Sequence, residues 1–315
     1  MRRRIHMLLL VTVLLGILAG CGEATSPIMA RVGNTNITEA QFTEYMEKNK
    51  KFFDPANSNG FSPEQIRYQM FLQLINEEVA LEEARRNGYG IDSTTELATE
   101  RGIENALQSR SLNPRTLADY DKAVASVEDF NASSYNELRQ NEARKSTLSA
   151  YVRSISVPNA PATAVFIREV VVPVESEEVS ETARLEAVGY AERLRAGANL
   201  DEIIEKYRQH PQAGQFQGDF GWLPATPDAV GPELADVLSK LGPNEWSDPV
   251  RTQIGWHVIQ VTQRAVFIDW PSMMQSPDGQ EFITAKVQEY QDKGDYQVYI
   301  DPASIPTPSG VTEQK

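Results

Sequence analysis

Few side chains in this sequence could do covalent or acid–base chemistry. It holds three histidines and one cysteine in 315 residues. A lone cysteine, Cys21, can form no intramolecular disulfide and suits neither a redox pair nor a zinc site. His210 falls in a polar loop after an apolar helix, and His257 falls inside the run Gly255, Trp256, His257, Val258, Ile259. An imidazole on a central strand is either a satisfied core residue or a hydrogen-bonding member of a site, and His210 is either solvent-facing or part of one. Asp219, between Gly218 and Gly221, suits a carboxylate that fixes a turn by bonding nearby backbone. Trp222 and Trp256 are either packing residues or platforms for a substrate.

The elements that must position these groups follow from periodicity. Ala30, Arg31, Val32 and then Asn36, Ile37 predict a hairpin turning at Gly33 and Asn34. Thr38 with Gln41 has the spacing of a capping box, and Phe42, Tyr45 and Met46 continue one helical face. A long helix is predicted from Pro63, through Phe71, Leu74, Ile75 and Val79, to a stop at Gly88. From Asp92 to Arg153 further helices are expected, one carrying Leu117, Tyr120, Val124 and Val127, and a pair marked by Tyr135, Leu138, Leu148, Tyr151 and Val152. Val157 to Pro161 reads as a stiff joint between domains.

Beyond the joint, Ala164 to Val174 is a β-branched run suited to a buried strand. Ala183, Ala187, Tyr190, Ala191 and Leu194 then share a helical face, and Leu200, Ile203, Ile204 and Tyr207 a second one. Gly218 to Leu223 enters a strand, Pro232 to Leu241 is a helix, and Trp256 to Thr262 is an alternating strand. The order is β, α, α, β, α, β. Phe282, Ile283, Val287 and Tyr290 predict one more helix, and Tyr296 to Ile300 a strand, before a tail from 303 to 315 expected to be disordered.

Residues 161 to 265, with Gly218, Asp219, Phe220, Gly221, Trp222 answered by Pro249, Val250, Arg251, Thr252 and Gly255 to Ile259, resemble a parvulin-type peptidyl-prolyl isomerase domain. The Ala30 to Phe42 phrase is similar to the opening of the SurA and PrsA type of extracytoplasmic foldase. The resemblance implies an α+β fold. A helical chaperone-like domain over 30 to 160 would accompany a parvulin domain of a small four-stranded sheet flanked by helices, with residues 266 to 302 packing back on the helical part.

The implied reaction is rotation about an Xaa-Pro amide, which needs no metal and no cofactor. The resemblance places His257 and Thr252 at the family's second histidine and threonine. Glu169 stands in place of the first histidine, and His210 at the cysteine or aspartate position. Leu234 replaces a usual phenylalanine on the apolar wall, Ala229 or Val230 a usual methionine, and Trp222 is a further candidate for substrate binding. If Glu169 accepts a hydrogen bond from His257, an acid–histidine pair replaces the two-histidine arrangement.

Arg2, Arg3 and Arg4 precede an apolar run from Met7 to Leu18, which reads as a signal segment over 1 to 20. Leu18, Ala19, Gly20, Cys21 resembles a bacterial lipobox, so Cys21 is the expected lipidation site, with 21 to 29 as a tether on the periplasmic side of a membrane, the outer one if there are two. Cleavage would remove three arginines and no carboxylate, making a net charge of −14 still more negative. Such a surface repels phosphate, which argues against nucleic acid as a partner; the partners that the resemblance implies are unfolded or extended exported polypeptides containing proline. Two readings follow: a membrane-anchored isomerase and folding factor, or a parvulin-fold chaperone that binds extended clients and turns them over weakly.

Overall fold

The computed structural model describes residues 26–54, 58, 60–90 and 93–308. The expectations for the leader, for Cys21 and for the last seven residues fall outside that range. In chain order the elements begin with β1 (Ile28–Val32), β2 (Thr35–Thr38), α1 (Glu39–Lys48) and α2 (Pro63–Arg86). The helices α3 (Ser93–Gln108), α4 (Leu117–Ala125) and α5 (Tyr135–Ser154) follow. Next come β3 (Ala164–Pro173), α6 (Ser180–Arg195), α7 (Leu200–Ile204), β4 (Gly218–Pro224), α8 (Pro227–Val230) and α9 (Pro232–Lys240). The chain closes with β5 (Val250–Arg251), β6 (Gly255–Ala265), α10 (Trp270–Gln275), α11 (Pro277–Lys293) and β7 (Tyr296–Val298).

The described residues divide into two compact units, one up to Phe71 together with those from Gln297 onward, the other Leu72–Tyr296. In the first, β1 and β2 pair antiparallel around Gly33, whose φ of +54° is a left-handed turn conformation that glycine adopts without a Cβ clash. The sheet order is β2-β1-β7. Thr38 and Gln41 form the reciprocal capping box that starts α1, and Phe42 buries its ring edge-on against Phe71 at 5.5 Å.

Two expectations are corrected here. The stretch to Met29 is not all tether: the Ala40 amide donates to Ser26 Oγ, and Met29 is fully buried in β1, its carbonyl accepting the Tyr299 amide at 2.7 Å. Nor is the tail disordered from residue 303. Asp301 caps a short turn, and Pro302, Ile305 and Pro308 are buried, so apolar side chains hold the backbone through the last described residue.

In the second unit α3, α4 and α5 share a small core of Ile103, Leu107, Val124 and Leu138. The expected helix pair between Tyr135 and Val152 is one continuous helix, since no proline or glycine interrupts it. Val127 lies beyond the end of α4, and Leu117 is exposed, so the stripe expected there is narrower than its spacing implied. α11 is tied to α2 by polar contacts: Tyr290 Oη donates to Glu83 at 3.0 Å, and Lys286 pairs with the same carboxylate at 2.9 Å.

The four-stranded antiparallel sheet has the order β4-β3-β6-β5, so the long strands β3 and β6 are central. Its two faces carry separate cores. Val170, Val172 and Val258 pack under α6 and α7, with Ala187, Leu194, Ile203 and Ile204. Val165, Ile167, Ile259 and Val261 pack under α9 with Leu238. Two-residue alternation therefore assigns Glu169 and Val171 to the Ile167 face, and His257 to the Ile259 face, which is the same one.

Candidate active site

β3 and β6 hold the central pair. Glu169 is opposite Ile259 and Val171 opposite His257, so Glu169 and His257 are diagonal neighbours on one face. Glu169 Oε2 lies 2.6 Å from His257 Nδ1, and His257 Nε2 lies 2.8 Å from Thr252 Oγ1. Glu169 is 3 % and His257 5 % exposed, while Thr252 is half-buried at the end of the array.

Burial of a carboxylate and an imidazole is tolerable because each satisfies the other. Nδ1 of the His257 ring is engaged by the carboxylate and Nε2 by the Thr252 hydroxyl, so both ring nitrogens are hydrogen-bonded. Thr252 Oγ1 in turn accepts the Ile254 amide at 3.3 Å.

Thr252 is placed by the hairpin between β5 and β6. Its amide donates to Gly255 O at 2.8 Å, and the Arg251 guanidinium donates to the Thr252 carbonyl. Gly255 has no alternative here: a Cβ would stand 2.2 Å from Val172 O, so only glycine lets β6 start flush against β3. On the outer edge Ser247 replaces a strand partner, with the Ile259 amide donating to Ser247 Oγ at 2.9 Å and the Ser247 amide to Ile259 O at 2.8 Å.

Leu234 and Val230 are half-buried against the core on the same face as the array, together with Ala225 and Leu241. They form an aliphatic wall beside a polar floor. The acid–histidine hydrogen bond expected from the sequence is therefore present, and the structure brings Glu169, His257, Thr252, Leu234 and Val230 to one sheet face.

The other expected residues do not join them. Trp222 pairs with Phe166 in register and packs edge-on to its ring at 5.9 Å, with the Arg153 guanidinium 5.1 Å from the indole. Phe166 and Trp222 alternate with Val165 and Leu223, so the indole faces away from the array and is a packing residue rather than a substrate contact. His210 turns back on its own loop: its Nδ1 accepts the Ala213 amide at 3.1 Å and the Gln212 amide at 3.3 Å, and its Nε2 is 3.7 Å from Glu175. A ring nitrogen used to close a turn has no link to His257.

Asp219 also differs from the turn expected of it, pairing with Arg168 at 2.6 Å on the neighbouring strand. Trp256 donates its Nε1–H to Ser180 O at 3.1 Å and packs on the α6 core.

One feature escaped the sequence reading. Gln217 acts as a side-chain extension of β4, its Oε1 accepting the Val171 amide at 3.1 Å and its Nε2 donating to Val171 O at 2.8 Å. On either side of it along the chain, Phe216 and Phe220 stack at 5.7 Å. The i, i+4 phenylalanines around Gly218 were the available signal.

Among the described residues no helix is long and apolar enough to cross a membrane, and no cluster of metal-ligating side chains occurs. A family model for the PPIC-type PPIASE domain, named Rotamase, matches residues 168–263. The chaperone SurA of Methylococcus capsulatus is 27 % identical over 133 residues, which are 42 % of this chain and 29 % of that protein. SurA of Pseudomonas aeruginosa is 33 % identical over 92 residues, 29 % of this chain and 21 % of that protein. The matched segment thus spans less than a third of the length of these curated relatives.

Among solved structures, PrsA from Bacillus subtilis aligns with 86 % of this chain and 92 % of its own, at 15 % identity and a TM-score of 0.30. On the match of 168–263, which spans β3 to β6 and the whole Glu169–His257–Thr252 array, this segment is a parvulin rotamase domain of the PPIC type, in a chain related in sequence to the SurA chaperones.

Proposed function

We propose that this protein is a lipid-anchored peptidyl-prolyl cis-trans isomerase that assists the folding of exported proteins in the cell envelope. The observation that carries the reading is the Glu169–His257–Thr252 array, set on one sheet face with Leu234 and Val230. Rotation about an Xaa-Pro amide has a barrier of about 18–20 kcal/mol, because the twisted state loses resonance. No bond is made or broken, so the domain needs only to bind the twisted amide better than the planar one.

The wall of Leu234 and Val230 can hold a proline ring and exclude water from the amide. The array supplies a fixed polar floor: His257 is oriented through Nδ1, and Thr252 through Nε2 and the Ile254 amide, so these groups need not reorganise as the amide twists.

The anchor rests on the sequence. Three arginines, an apolar run and Leu18 to Cys21 support export and acylation of Cys21, and several acyl chains at about 0.8 kcal/mol per buried methylene give a firm hold.

A second reading is favoured by one observation: the wall is purely aliphatic and partly spent on the core of its own sheet. On that reading the face binds extended proline-containing clients and turns them over weakly. A protease-coupled assay on an Xaa-Pro tetrapeptide, run beside suppression of client aggregation, decides between them. Turnover that drops on truncating Leu234 supports the isomerase. Absence of turnover with retained suppression supports the chaperone.

A further inference from the structure

The first described residues are fastened to the start of α1. Ser26 Oγ accepts the Ala40 amide at 2.9 Å, and the Pro27 carbonyl accepts the Glu39 amide at 2.9 Å. Only residues 22–25 separate Ser26 from Cys21, and a chain spans at most about 3.6 Å per residue, so the two lie within about 18 Å of each other. An acylated Cys21 therefore holds the unit built on β1, β2 and α1 close to the membrane, across a gap smaller than the roughly 30 Å of a small domain.

Next to this pinned end the sheet carries apolar side chains that its core does not use. Met29, Ala30, Val32 and Ile37 are buried, whereas Ile28 is 41 %, Val298 47 % and Tyr299 55 % exposed. These three adjoin through the backbone: β7 is the edge strand beside β1, and the Met29 carbonyl accepts the Tyr299 amide at 2.7 Å. One strand spacing, about 4.8 Å, thus separates the segment of Ile28 from that of Val298 and Tyr299, and Ile28 is two residues from Ser26.

The chemistry of the patch fits a lipid surface. Tyr299 presents an aromatic ring with a polar tip, its Oη donating to Gln297 Oε1 at 2.6 Å, and such side chains settle at the headgroup boundary. The charges beside the tether select among lipids. Ser26 and Pro27 line a surface groove with Glu39, Glu44 and Glu47 of α1, so anionic headgroups gain nothing there and the attraction is apolar.

Resting on the lipid-anchor reading, we infer that Ile28, Val298 and Tyr299 form a membrane-contact surface, seated in the headgroup boundary of the membrane that holds the acyl chains of Cys21. The test uses the chain from Cys21 to Lys315, without the apolar leader, coupled at its only thiol to a single hexadecyl maleimide. One such chain gives marginal, reversible membrane binding, so a contact made by the protein itself shows in the partition coefficient. The attachment is chemical, so the result does not depend on whether cells acylate Cys21: a failed anchor shows in uptake of labelled fatty acid, a failed surface in the partition.

Sedimentation with phosphatidylcholine vesicles should bind the wild-type conjugate about tenfold more strongly than the Ile28→Ser, Val298→Ser, Tyr299→Ser triple variant, at low and high salt alike. Added phosphatidylglycerol should not strengthen it. Leu117→Ser, which removes an exposed leucine from α4, should leave the partition unchanged. Equal partition of wild type and triple variant overturns the surface, as does a difference that needs phosphatidylglycerol and vanishes in salt, or an equal loss in Leu117→Ser. Sedimentation velocity showing a wild-type dimer that the triple variant dissolves overturns it too, by giving the patch to a second copy. If far-ultraviolet circular dichroism shows the triple variant unfolded, the single variants decide: Tyr299→Phe should keep the partition, and Tyr299→Ser should lower it about threefold.

Discussion

Glu169 and His257 sit on adjacent central strands, two residues out of direct register, and their side chains close that diagonal with a 2.6 Å hydrogen bond inside the protein. The pair stabilises the domain only as a pair. Removing the imidazole alone, in His257→Ala, strands a buried carboxylate and should cost about 3–5 kcal/mol. Removing both partners, in a Glu169→Leu, His257→Leu double variant, should recover most of that loss while abolishing turnover. Urea unfolding with an unchanged m-value measures it. A double variant less stable than His257→Ala would contradict the pairing.

Gly255→Ala tests how the array is positioned. A Cβ there meets Val172 O at 2.2 Å and Pro173 Cα at 2.9 Å, both rigid strand backbone. The hairpin must shift, and with it the Thr252 amide bond to Gly255 O. A loss of about 1–3 kcal/mol is expected, the range for forced overpacking, together with a drop in kcat larger than the change in KM. Steady-state kinetics on one proline peptide supplies both constants.

Leu234 has a different signature. It is half-buried, so Leu234→Ala should cost less stability than a core truncation, yet it removes part of the wall that would hold the proline ring. Turnover should fall at least about tenfold, the low end of what one lost methylene costs in an apolar pocket, because Leu234→Ala removes three side-chain carbons. Leu234→Phe, which enlarges the wall, should raise it. Protease-coupled assays on the three proteins check the order Phe, Leu, Ala.

Acid should act on α11. Hydrogen bonding from Lys293, then from Lys286, holds the Glu289 carboxyl down to about 2, below its ordinary 4.5. A folded-state value depressed in this way stabilises the native state above the unfolded value, and the contribution is lost as pH falls through the folded one. The difference in urea midpoint between wild type and Glu289→Gln should therefore be present at neutral pH. It should shrink below about 4.5 and vanish near 2. A difference that grows on acidification would reverse the sign of the linkage.

Cys21→Ser tests the anchor. The wild-type chain expressed with its leader should take up a labelled fatty acid and sediment with membranes, and the variant should do neither. Two-signal acylation gives near-complete partitioning, so the expected change in the membrane fraction is nearly all or none.

The sequence by itself determined β3, α6, α7, β4, α9 and β6 in that order, because apolar alternation, helical stripes, and the glycines and prolines between them are local signals, whereas the four-residue α8 and the two-residue β5 are too short to carry a period. It likewise determined the start of α1, where Thr38 and Gln41 satisfy each other within one turn. It named Glu169, His257 and Thr252, but their meeting depended on a register between strands separated by 88 residues for the acid and the imidazole. Register is a tertiary property, since a one-residue slip would send His257 to the α6 face. The same alternation turned Trp222 away, although its neighbours in sequence lie at the site, and loop closure claimed His210 for its own amides. The stacking of Phe216 on Phe220 was likewise decided only by the folded chain, which turns sharply enough at Gly218, with a φ of +85°, for the two rings to meet.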